Sequence, residues 1–65
     1  MLGDELNKAR LAKGLSQQTL ATKAGVTREY ISKLENNRSS PTVDTLLAIC
    51  GVLDIRASQL IAKIK

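Results

Sequence analysis

The side chains able to do chemistry in this chain are few, and they are cations rather than nucleophile–base pairs. The 65 residues hold no histidine, one cysteine (Cys50), and ten Lys plus Arg against six Asp plus Glu, a net charge of +4. Without histidine and with a single thiol, a structural zinc site lacks ligands and no internal disulfide can form. Asp4 and Glu5 are adjacent, so they diverge on a helix, and no phosphate-binding glycine loop is present. No nucleophile–base pair can be assembled from this set, which sets an enzyme aside, and no cofactor or metal is expected. Cys50 falls at an apolar helical position, as an inert core residue would. What remains is an excess of basic donors, with a pI near 9.7. That balance suits an anionic partner such as nucleic acid or a membrane surface. The same charge also serves solubility, so position has to decide.

Those cations need elements to aim them. Leu2, Leu6 and Ala9 recur at helical spacing, Leu11 and Ala12 continue the apolar content, and Gly14 ends a first helix. Ser16 is a good N-cap for a second helix whose inner face is Leu20, Ala21 and Ala24, stopped by Gly25. Thr27 caps a third, from about Thr27 to Asn36, with Tyr30, Ile31 and Leu34 at i, i+3, i+4 spacing; Asn37 can take the left-handed conformation that ends it. Arg38 to Pro41 is a loop. Ser40 with Pro41, or Thr42, opens a fourth helix with Leu46, Leu47, Ile49, Cys50 and Leu53 as its buried face. Asp54 makes a turn, and Arg56 to Ile64 reads as a fifth helix, its first turn beginning at Ala57 or capped by Asp54. No sustained alternation competes, so the class is all-α: five helices in a single domain over residues 1–65. The longest apolar stretch, Leu46 to Leu53, is too short to span a bilayer. Asp4 and Glu5 stand where a signal peptide needs positive charge, so a cytoplasmic, reducing compartment is expected.

The stretch Ser16 to Asn36 is the most informative. Its two short helices are joined through Ala24, Gly25, Val26 and Thr27, and a helix-turn-helix needs that chemistry. Ala21 is small enough for close helix approach, Gly25 takes the tight bend, and Val26 plugs the corner. A turn of this kind sets the later helix at a steep angle, able to enter a DNA groove while the earlier one lies across the backbone.

The run from Arg10 to Glu35 (RLAKGLSQQTLATKAGVTREYISKLE) resembles the phage-repressor and Cro-like (XRE-type) helix-turn-helix family. Pro41 to Leu47 (PTVDTLL) and the small-residue helix ending at Leu53 match that family's fourth helix. The compact size and isoleucine-rich fifth helix also resemble the controller proteins of restriction-modification systems. The resemblance implies a lambda-repressor-like domain that binds double-stranded operator DNA to regulate transcription, with RNA polymerase as a further contact. It implies that Thr27, Arg28, Glu29, Ser32 and Lys33 face the bases, while Ile31 and Leu34 point into the core. Arg28 can donate a bidentate pair to guanine, Glu29 can accept from a cytosine amino group, and Lys33 can reach guanine or a phosphate. The plainer reading of Arg28, Glu29 and Lys33 is a solvated, mixed-charge face.

Gln17 matches a glutamine that meets a phosphate, and Ser16, Asn36 and Arg38 match backbone-gripping positions. Ser16 equally serves as a cap. Asn37 departs from the glycine common in the family, either contacting DNA or ending the helix. Arg10 and Glu35 match a structural salt bridge between the first and third helices, whose loss would strand a desolvated charge. Tyr30, the only aromatic, either edges the core or offers its hydroxyl to a phosphate.

Ile55, Leu60, Ile61 and Ile64 are more apolar than a short terminal helix needs for its own packing. A two-fold homodimer through Ile61 and Ile64 would cover that surface and present two recognition helices about 34 Å apart, one turn of DNA. It would also offset the marginal stability expected of so small a core. The rival class is an antitoxin or protein-interaction adaptor on the same fold. An adaptor's third-helix face should be more apolar than Thr27, Arg28, Ser32 and Lys33.

Overall fold

The computed structural model describes residues 2–56, 58 and 59, and in it the chain runs through four helices. These are α1 (Leu2–Ala12), α2 (Gln17–Ala24), α3 (Arg28–Glu35) and α4 (Val43–Leu53). Hydroxyl caps open three of them. Ser16, Thr27 and Thr42, all in extended backbone, accept the N–H of Thr19, Tyr30 and Thr45 respectively, at 3.0–3.1 Å. Of the two openings the sequence allowed for the fourth helix, Thr42 is therefore the one used.

All four helices end alike. A left-handed residue (Gly14, Gly25, Asn37 or Asp54) reverses the chain. The N–H that follows it returns to a carbonyl of the last turn: Leu15 to Arg10, Val26 to Ala21, Arg38 to Lys33, Ile55 to Cys50, at 2.8–3.2 Å. This double-closed ending satisfies carbonyls the helix would otherwise leave unpaired.

The core joins Leu6 of α1, Leu20 and Ala21 of α2, Ile31 and Leu34 of α3, and Ile49, Cys50 and Leu53 of α4. Helix α3 packs on both α1 and α2, and α4 packs on α2. Leu47 is a correction: expected on the buried face of α4, it is 56% exposed. Ile49, Cys50 and Leu53 take the inward arc of that helix, and Leu47 is turned out on the same side as Val43, four residues earlier and 73% exposed.

The count of five helices also changes, to four among the described residues. Ser58 and Gln59 are helical, while most of the expected fifth helix, with Ile61 and Ile64, lies outside the described residues. Arg56, itself not helical, stands ahead of that segment. The backbone N–H of Arg56 donates to Gln59 Oε1 at 3.1 Å, half of a capping box. Asp54 does not cap it: that residue closes α4 in the left-handed conformation, and its carboxylate lies 3.8 Å from Lys13 Nζ.

Candidate nucleic-acid interface

The recognition candidate α3 is fixed from behind before it presents anything. Arg10 Nε donates to Glu35 Oε2 at 2.7 Å and a terminal nitrogen donates to Oε1 at 3.1 Å, a bidentate pair with both residues buried. The other terminal nitrogen of Arg10 reaches the Leu15 carbonyl at 2.7 Å, tying α1 to the turn that enters α2. Glu35 Oε1 also accepts Asn7 Nδ2 at 2.9 Å and Gln17 Nε2 at 3.2 Å. One carboxylate thus joins α1, α2 and α3. Burial pushes the Glu35 pKa up, but the hydrogen bonds from Arg10, Asn7 and Gln17 and the charge of Arg10 outweigh it. The carboxyl is held below its ordinary value.

With Ile31, Leu34 and Glu35 turned inward, α3 exposes Thr27, Arg28, Glu29 and Lys33, with Ser32 half-buried beside them. The ion pairs among the described residues are Glu5–Lys8, Arg10–Glu35 and Lys13–Asp54, so none of them engages Arg28, Lys33 or Arg38. These three are therefore free to meet an outside anion, as are Lys23 and Arg56 elsewhere among the described residues. The flanking residues are more committed. The Asn36 amide donates back to the Ser32 carbonyl at 2.8 Å, the Ser16 hydroxyl both caps α2 and donates to Thr19 Oγ1, and the Gln17 amide is held by Glu35. Tyr30 is half-buried against the core, and burial pushes the Cys50 thiol pKa up, away from a reactive thiolate.

The helix-turn-helix family profile matches residues 6–60. The chain belongs to that family. It is 32% identical over 62 residues to the immunity repressor protein of Bacillus phage phi105, covering 95% of this chain and 43% of the repressor. Its fold superposes on the restriction-modification controller protein C.AhdI from Aeromonas hydrophila with a TM-score of 0.88 at 36% identity, covering 91% of this chain and 89% of that one. It superposes on SinR, the master regulator for biofilm formation, in a structure of SinR with DNA. There the TM-score is 0.89 at 35% identity, covering 94% of this chain and 98% of that one. SinR of Bacillus subtilis is an HTH-type transcriptional regulator, and this chain spans about half the length of such curated relatives. The family is one of DNA-binding transcriptional regulators and repressors, not enzymes. No helix among the described residues is long and apolar enough to cross a membrane.

The family resemblance paired Arg10 with Glu35, but Asn7 and the anchoring of Gln17 were missed. Asn7 lies three residues before Arg10, on the same side of α1, and that spacing was the available signal. Gly3 was missed too. A methyl at its Cβ position would fall 2.6 Å from the Glu35 carbonyl oxygen and 2.7 Å from Asn37 Oδ1, so only glycine lets α1 lie this close to the end of α3.

Proposed function

We propose that this domain is a sequence-specific regulator that binds operator half-sites as a homodimer, with α3 in the major groove of double-stranded DNA. The observation that carries the reading is the free, exposed pair Arg28 and Lys33 on a helix immobilised by the buried Arg10–Glu35 bridge behind it. Thr27, Arg28, Glu29, Ser32 and Lys33 are the base-facing residues, with Arg28 donating to guanine and Glu29 accepting from cytosine. Ser16, Asn36 and Arg38 grip the backbone. Gln17 meets a phosphate through whatever hydrogen-bonding capacity its bond to Glu35 leaves over. Ile61 and Ile64 form the dimer contact, and the exposed Val43 and Leu47 of α4 support a protein–protein surface. Cytoplasmic placement and contact with RNA polymerase belong to the same reading.

The adaptor or antitoxin reading draws on that α4 surface as well. The polar, cationic face of α3 favours DNA, because a protein-docking face is depleted of charge at its centre. Selection of bound duplexes from a random pool tests the choice. Enrichment of a two-fold symmetric sequence is the expected result. Failure to retain any duplex at low salt would overturn the DNA reading and leave the adaptor.

A further inference from the structure

Asn37 holds a backbone conformation that glycine takes at least cost, with φ 59°. Asparagine tolerates it better than most residues and brings a side chain that glycine lacks. That side chain is in use. Asn37 Oδ1 accepts the backbone N–H of Gly3 at 3.0 Å, across 34 residues of sequence. The Gly3 N–H belongs to the first turn of α1, where helix donors have no partner within the helix. A residue that ends one helix therefore caps the start of another.

The contact is tight as well as polar. Gly3 is buried, and the space where its Cβ would stand is filled by the carbonyl oxygens of Leu34 and Glu35 and by Asn37 Oδ1. Arg38 follows directly. Its backbone N–H is fixed to the Lys33 carbonyl at 2.8 Å, while its side chain is exposed and in no ion pair. The turn carrying this cation is thus clamped on one side by α3 and on the other by α1.

We infer that Asn37 is a positioning residue for DNA-backbone binding: its amide oxygen, by capping α1 at Gly3, holds the Asn36–Arg38 turn so that Arg38 meets a phosphate. This rests on the DNA reading above. Asn37 itself touches no nucleic acid in this role. A phosphate contact carries no sequence information, so the clamp contributes affinity and salt dependence rather than base choice.

Asn37→Gly is the test, since glycine keeps the left-handed turn and removes only the tether. The variant is expected to fold with unchanged helix content, and the Gly3 amide should exchange with solvent faster. Affinity for specific and nonspecific duplexes should fall in parallel by about two- to tenfold, the worth of one net hydrogen bond. The slope of log affinity against log salt should shrink by about 0.9 for each phosphate the protein no longer neutralises. In an Arg38→Ala background the same substitution should change DNA binding no further, which a purely structural role would not produce. An equal loss in both backgrounds, or normal DNA binding by Asn37→Gly despite a freed Gly3 amide, overturns the positioning role alone. Wild-type protein that binds no duplex overturns the DNA reading, and the positioning role with it.

Discussion

At the scale of single residues, the side chains of α3 proposed to read DNA stand on its exposed face, and those that hold the helix stand behind it. Arg28 lies in the first turn of α3, exposed and in no ion pair. A guanidinium there can pair with both acceptors of a guanine edge through a rigid planar fork that a lysine lacks. Arg28→Ala is expected to cost about 1–3 kcal/mol per half-site and to relax discrimination at one base pair. Raw affinity cannot isolate this, because the variant also loses a positive charge. The measurement is the specific-to-nonspecific ratio at one fixed salt concentration. A ratio that survives while both affinities drop would reassign Arg28 to the backbone. The exposure of Arg28 and Lys33 was legible in the sequence because the apolar positions Ile31 and Leu34 fix which side of the helix turns inward. The commitment of Gln17 was not, since it depends on where the Glu35 carboxylate lies once the helices have packed.

Between elements, the buried carboxylate of Glu35 is the common fastening of α1, α2 and α3. Its donors come from Asn7, Arg10 and Gln17. Glu35→Ala leaves the Arg10 guanidinium buried without its counter-charge, and removing one partner of such a pair costs about 3–5 kcal/mol. A marked fall in thermal stability is expected, with any loss of DNA binding secondary to it. An intact melting temperature with binding abolished would make Glu35 part of the DNA site instead. The pH dependence has a definite sign. Because the folded-state pKa lies below the ordinary 4.5, the stabilisation is complete above that value, declines as pH falls below it, and is gone once pH has dropped through the folded pKa. Glu35→Gln should flatten the acid limb of the melting curve, and an acid limb identical to wild type would place the sensitivity elsewhere.

At the scale of the whole molecule stands the proposed homodimer. The described body measures 28 × 23 × 21 Å. Each copy carries one α3, so a pair of recognition helices about 34 Å apart takes two copies. Ile61→Asp should yield a folded protein that associates more weakly, measured by sedimentation across a concentration series. A wild type that stays monomeric well above micromolar concentration would remove the dimer. Association unchanged by the substitution would shift the interface, with the exposed Val43 and Leu47 as the next surface to vary.

Sequence by itself determined what is settled within a few residues of chain. The hydroxyl caps at Ser16 and Thr27, the glycine endings at Gly14 and Gly25 and the inward stripes of α2 and α3 all follow from local hydrogen bonding and helical periodicity. Resemblance added the Arg10–Glu35 pair. Tertiary structure decided the rest, because it depends on the angle and distance at which finished helices meet. Leu47 has the right residue type for a core, but α4 meets α2 along a different arc, so Leu47 faces out. Asn7 and Gln17 look like ordinary polar surface until the packing of three helices brings both within reach of one carboxylate. Gly3 and Asn37, 34 residues apart, become a donor and its acceptor only because a missing Cβ lets α1 lie against the end of α3.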